Sequence, residues 1–139
     1  MQNKTEISEK HLEFIQNVIT RMGQNSFQAK AWCITVISAL LVLVINKNCQ
    51  NWTPYAISIS VTILFCSLDT YYLYLEKGYR ALYNICAGIE KTGVIKKYDM
   101  IIPKEYRGIR RYFIALRSVS TGLFYLVIII GEICLYLFN

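Results

Sequence analysis

Apolar residues follow two patterns along this chain, and the change between them marks the elements. In KHLEFIQNVITRMGQNSFQAK, residues 10–30, Leu12, Ile15, Val18, Ile19 and Met22 recur every three or four positions with Phe14 nearby, the spacing of an amphipathic helix. Thr5 or Ser8 can cap its start, Glu6, Glu9 and Glu13 lie near the positive end of its dipole, and Gly23 with Asn25-Ser26 offers a break. Its polar face is poor in Lys and Arg, which favours packing against other cytoplasmic helices over an interfacial anchor.

From residue 31 the periodic pattern gives way to unbroken apolar runs. AWCITVISALLVLVI, residues 31–45, carries no charge; with Lys30 snorkelling, Trp32 at the headgroups and a few flanking residues it makes a first span over 31–48. Thr35, Ser38 and Ala39 give that span a small-residue side for close helix packing. NKNCQNWT, residues 46–53, is a short polar connection, and Pro54 suits the first turn of the next helix. The second span is expected over 54–75, continuing as a cytoplasmic helix to about Glu90 with only Gly78 as a mild breaker, costing ~1 kcal/mol relative to Ala.

Residues 91–118 read as a folded basic connector, with a turn at Thr92-Gly93 and a stop at Ile102-Pro103; VIKKYDMII is too short and isolated to form a sheet. VSTGLFYLVIIIGEICLYLF, residues 119–138, is long enough for a third span. The fold class is therefore all-α. It is an integral membrane protein with three transmembrane helices in a single membrane domain, an N-terminal amphipathic helix over 1–30 and a cytoplasmic extension of the second span.

Composition agrees: 55% of the 139 residues are hydrophobic and mean hydropathy is +0.35, too apolar for an ordinary soluble domain of this size. The net charge of +6 changes the picture through its placement, because residues 76–118 hold ten Lys/Arg against four acids. By the positive-inside rule this segment and the N-terminus are cytoplasmic, while the 46–53 loop and the C-terminus are external. The expected partner of the basic segment is a bilayer with anionic headgroups, not a nucleic acid. No cleavable signal peptide is expected, since thirty polar-rich residues precede the first apolar run.

Cys33, Cys49, Cys66, Cys86 and Cys134 are scattered, without a C-x-x-C pair, and His11 is the one histidine, so no metal site, cofactor or disulfide framework is expected. Cys49, in the external loop, is the one candidate for an intersubunit disulfide. No Gly-rich phosphate loop, H-E-x-x-H, G-x-S-x-G or Ser/His/Asp set is present, and no catalytic residue is assigned.

The candidate chemistry lies in the spans. Ser58, Thr62, Asp69, Glu76 and Arg80 fall within a sector roughly 40° wide on the second helix. Asp69 and Glu132 are the acids within apolar runs, and a central Asp costs about 2.5–3.5 kcal/mol on insertion scales, which makes both functional candidates. Asp69 lies near the inner mouth; it either pairs with a neighbouring Lys, Arg or Tyr or belongs to an ion path. Glu132 shares a stripe with Tyr125 and Tyr136 and either forms an acidic ring in an oligomer or, protonated, a bond between helices. Opposite topological ends keep Asp69 and Glu132 apart. Tyr71, Tyr72, Tyr74, Tyr79 and Tyr83 read as an aromatic belt, whereas Arg107, Arg110, Arg111 and Arg117 obey the positive-inside rule or bind a phosphate-bearing ligand or lipid.

HLEFIQNVITRMGQNSFQAKAW followed by an apolar run, then LDTYYLYLEKGYRALYN and a closing STGLFYLVIII, resembles small bacterial membrane proteins akin to the SLATT-type effectors. The matching positions include His11, Phe14, Arg21, Asn25, Ser26, Lys30, Trp32, Asp69, Tyr71, Tyr72, Glu76, Arg80 and Tyr83, while the third span goes beyond the two-span pattern of that group. The resemblance implies a homo-oligomeric effector of the bacterial inner membrane, forming or gating an ion-conducting pore in anti-phage defence. Its expected trigger is a cytoplasmic signalling protein or nucleotide ligand. A non-conducting membrane-anchored module that recruits a soluble partner is the alternative.

Overall fold

The computed structural model describes residues 9–46, 52–89 and 99–138. Within them the chain is all-helical, with three helices long and apolar enough to cross a membrane, as the hydrophobic runs predict. Helix α1 spans Glu9–Asn46, α2 spans Thr53–Cys86, α3 is the short Ile109–Leu116 and α4 is Phe124–Phe138. The candidate caps Thr5 and Ser8, Cys49 and the Thr92-Gly93 turn lie outside the described residues.

The break expected near Gly23 does not occur: α1 continues through it for 38 residues. The reason is a single buried stripe. His11, Ile15, Ile19, Met22, Ser26, Ala29, Cys33 and Ile37 follow one another at three- and four-residue spacing, so the amphipathic segment and the first span present one face to the same partner helix. Packing along that face outweighs the ~1 kcal/mol that a mid-helix glycine costs. A Cβ at Gly23 would stand 3.6 Å from the Glu76 carboxylate across the α1–α2 contact, an ordinary packing distance, so the close approach of the helices does not itself require glycine there.

Helix α2 starts with Pro54 in its first turn and runs without interruption to Cys86. It stops short of Glu90 because Gly88 takes a left-handed φ of 75°, and the N–H groups of Ala87, Gly88 and Ile89 close the end on the carbonyls of Tyr83, Ile85 and Asn84. Gly78, expected as a weak breaker, instead forms a notch: a Cβ there would lie 2.8 Å from Cδ1 of Ile102 in the returning chain. The Ile102-Pro103 stop holds, and a single 3₁₀ turn at Lys104–Tyr106 leads to Gly108, whose φ of 109° turns the chain into α3. Residues 99–102 are extended without strand pairing.

The last membrane-crossing helix begins with a wide π-helical turn, Val119–Leu123, before α4. The structure thus has two ends. At the basic end, Ile15 and Ile19 of α1 pack on Leu82 and Cys86 of α2, with Leu12, Tyr79, Tyr83 and Met100 around them. Within the spans, Cys33 and Ile37 of α1 pack on Tyr125 of α4, with Phe65 and Cys66 of α2 alongside. Large exposed apolar side chains such as Ile34, Val42, Ile57, Ile63, Leu64, Leu126, Val127 and Ile130 cover the outside of the spans, as a lipid-facing surface requires.

Candidate functional site

Two carboxylates are buried inside the bundle, and each is held by residues of this same chain. Asp69 is fully buried on α2. The Ser26 hydroxyl of α1 donates to its Oδ1, and the Lys30 ammonium lies 2.6 Å from its Oδ2. Lys30 also donates to the Ser26 hydroxyl at 3.2 Å and sits 6.0 Å from the ring centroid of Phe124, the first residue of α4. The expectation that Lys30 snorkels to the headgroups therefore gives way to an inward turn. The pair offsets part of the cost of burying each charge, and removing either partner would strand the other in the bundle.

Glu132 of α4 is 2% exposed. Ser58 donates to its Oε1 at 2.5 Å, and Thr62 reaches the same oxygen at 3.1 Å while sharing its hydroxyl with the Ser58 carbonyl. Oε2 has no hydrogen-bond partner among the described residues. Of the tyrosines on its stripe, Tyr125 is buried and donates to the Phe65 carbonyl at 3.3 Å, and the Tyr136 ring packs edge-on against Tyr55 with ring centroids 5.2 Å apart. Asp69 and Glu132 keep separate partners, consistent with their different depths.

The polar stripe on α2 thus divides. Ser58, Thr62 and Asp69 point into the chain's own core, while Glu76 and Arg80 form an i,i+4 ion pair of 2.8 Å outside it. Three hydroxyls on the outer faces of the spans are satisfied within their own helix: Thr35, Ser60 and Ser67 donate to the carbonyls four residues back, at 2.9, 2.7 and 3.0 Å.

The arginines of the connector take different tasks. Arg107 donates to the Ile102 carbonyl at 2.5 Å and so braces the turn, and Arg111 stacks over Tyr106 at 5.1 Å. Arg110 and Arg117 are exposed on α3 with Ile109, Phe113 and Ile114. The belt tyrosines help to dock α3: Tyr74 accepts the Gly108 N–H at 3.3 Å, its ring lies 6.4 Å from that of Tyr112, and Tyr112 donates to the Ser67 carbonyl at 3.1 Å.

His11 is fully buried, and its Nε2 lies 3.2 Å from the Asp99 carbonyl. Beside it, Phe14, Asn17, Val18, Arg21 and Met100 line an open groove of about 560 Å³ at the basic end. Cys33, Cys66, Cys86 and Cys134 are free thiols, and no cluster of metal-ligating side chains is present among the described residues.

Sequence reasoning missed Ser26 and Lys30 as the partners of Asp69, although a signal existed. In the antiparallel α1–α2 pair, residues equally far from the intervening turn lie side by side, as Gly23 does with Glu76, and Lys30 is the position that matches Asp69. No family model, curated protein or solved structure matches the chain. The fold and the two carboxylate sites define a three-span helical membrane protein.

Proposed function

We propose that this chain is a membrane effector of the SLATT-like kind, whose copies assemble around an ion-conducting pore gated from the cytoplasm, and that it serves bacterial anti-phage defence. In this reading the basic end faces the cytoplasm of the inner membrane, and the described arrangement is the closed subunit. The observation that carries it is the continuity of α1 and α2 from the apolar cluster at the basic end to the buried Lys30–Asp69 pair. A partner or nucleotide that shifts α1 against α2 at the cytoplasmic end displaces Lys30 from Asp69, because neither helix has a break to absorb the movement. Separation frees Ser26, Lys30 and Asp69 as hydrophilic groups for an ion path through the assembly.

Membrane potential in cells expressing the native chain, Asp69→Asn and Glu132→Gln tests the reading. Depolarisation by the native chain, enlarged by Asp69→Asn because the closed pair is weakened, is the expected result. Unchanged potential with all three correctly inserted would overturn it.

A second reading rests on a specific observation: Ser58, Thr62 and Asp69 are turned inward and bonded within the chain, so the polar stripe of α2 presents these groups to its own core and not to a water path between copies. The protein would then be a non-conducting anchor that recruits a soluble partner through the His11 end. A stoichiometric soluble partner captured in mild detergent, with no depolarisation, favours this alternative.

A further inference from the structure

Glu132 is held in an unusual way for a buried acid. Both hydroxyl donors, Ser58 and Thr62, converge on Oε1, which leaves Oε2 without a donor in a side chain that is 2% exposed. A carboxylate oxygen removed from water and left bare is costly, and it draws either a proton or a cation. The surroundings are shaped for the second. Glu132 lines a cleft of about 200 Å³ between the start of α2 and the end of α4, and Trp52, Tyr55 and Tyr136 line the same cleft with Ile59 and Ile133.

A strongly hydrated cation such as Na⁺ needs several oxygen ligands, whereas this cleft offers aromatic and aliphatic walls around one acid. Aromatic faces attract cations that shed water easily, and quaternary ammonium groups are the organic cations best matched to such a box. We infer that the cleft at the end of the bundle remote from α3 binds a monovalent organic cation of the quaternary ammonium type, with Glu132 as counter-ion and Trp52, Tyr55 and Tyr136 as the aromatic walls. The two hydroxyls on Oε1 fix the carboxylate at the wall of the cleft. Binding here is independent of whether the protein conducts ions.

The test uses the full chain in nanodiscs of phosphatidylglycerol, titrated with benzyltrimethylammonium and, separately, with its neutral carbon isostere neopentylbenzene. The expected result is saturable binding of the cation at least about tenfold tighter than the isostere, with that preference lost in Glu132→Gln. Tyr136→Leu, at a half-exposed ring that leaves the Ser58–Thr62–Glu132 bonds in place, is expected to weaken the cation by about threefold to twentyfold. If Glu132→Gln does not fold, Tyr136→Leu and the isostere comparison still decide the matter.

Equal binding of cation and isostere, an unaltered preference in folded Glu132→Gln, or no saturable binding would overturn the inference. Repeating the titration in phosphatidylcholine discs separates the sources of the ligand. Competition by the lipid assigns the cleft to a choline headgroup, and unchanged affinity assigns it to a free cation.

Discussion

The two ends of the bundle are held together by opposite means. At the basic end, α1 and α2 meet through Ile15, Ile19, Leu82 and Cys86, an apolar cluster of the kind found in soluble proteins. Within the spans the same two helices are tied by Ser26, Lys30 and Asp69, and α4 is tied to α2 by Ser58, Thr62 and Glu132. The solvent explains the reversal. Water expels apolar side chains and so drives the first kind of contact, but lipid tails offer leucine as good an environment as another helix does. Polar bonds and close packing must then supply the specificity of the membrane half.

The comparison is broken most severely at the ion pair. Lys30→Met leaves Asp69 buried without its counter-charge and is expected to destabilise the folded chain by about 3–5 kcal/mol, whereas Lys30→Met combined with Asp69→Leu recovers most of that loss. Steric-trap or denaturant unfolding in bicelles measures both, and purely additive losses in the double variant would refute the pairing. At the apolar end, Leu82→Ala removes a fully buried side chain and is expected to cost about 2–4 kcal/mol. That loss should fall on hydrogen-exchange protection around Ile15 and Ile19 and leave the spans protected; equal loss in the spans would show that the two halves are not distinct. The smallest effect is expected at Glu132→Ala, about 1–2 kcal/mol in the same unfolding assay, since Thr62 retains the Ser58 carbonyl as a partner. A loss as large as that of Lys30→Met would place the main tie between spans at α4.

Much of this architecture is legible in the sequence because length and hydropathy act locally. The apolar runs predict three spans, and Pro54 and Ile102-Pro103 mark a start and a stop for reasons contained in a few residues, whereas Gly88 ends α2 ahead of the expected Glu90. Gly23 and Gly78 are misleading for the same reason. Helix propensity is local, but Gly78 is fixed by Ile102, which approaches from another segment, and the cost of Gly23 is outweighed by packing along the whole buried face of α1. Asp69 and Glu132 stand out as acids in apolar runs, yet which hydroxyl or ammonium meets each depends on register between helices. His11 shows the limit most plainly: its partner carbonyl lies 88 residues further along the chain.

The equal spacing of Lys30 and Asp69 from the turn between α1 and α2 also sets where this chain can change in length. Insertion of one residue into either helix between the turn and the pair would rotate one charge by about 100° and move it about 1.5 Å along the axis, so the two would no longer face each other. An added residue in the connecting turn leaves both helices in phase. Insertions and deletions compatible with this pairing are therefore confined to the connection between the helices, and α1 and α2 from that connection to the Ile15–Leu82 contact form a fixed-length ruler.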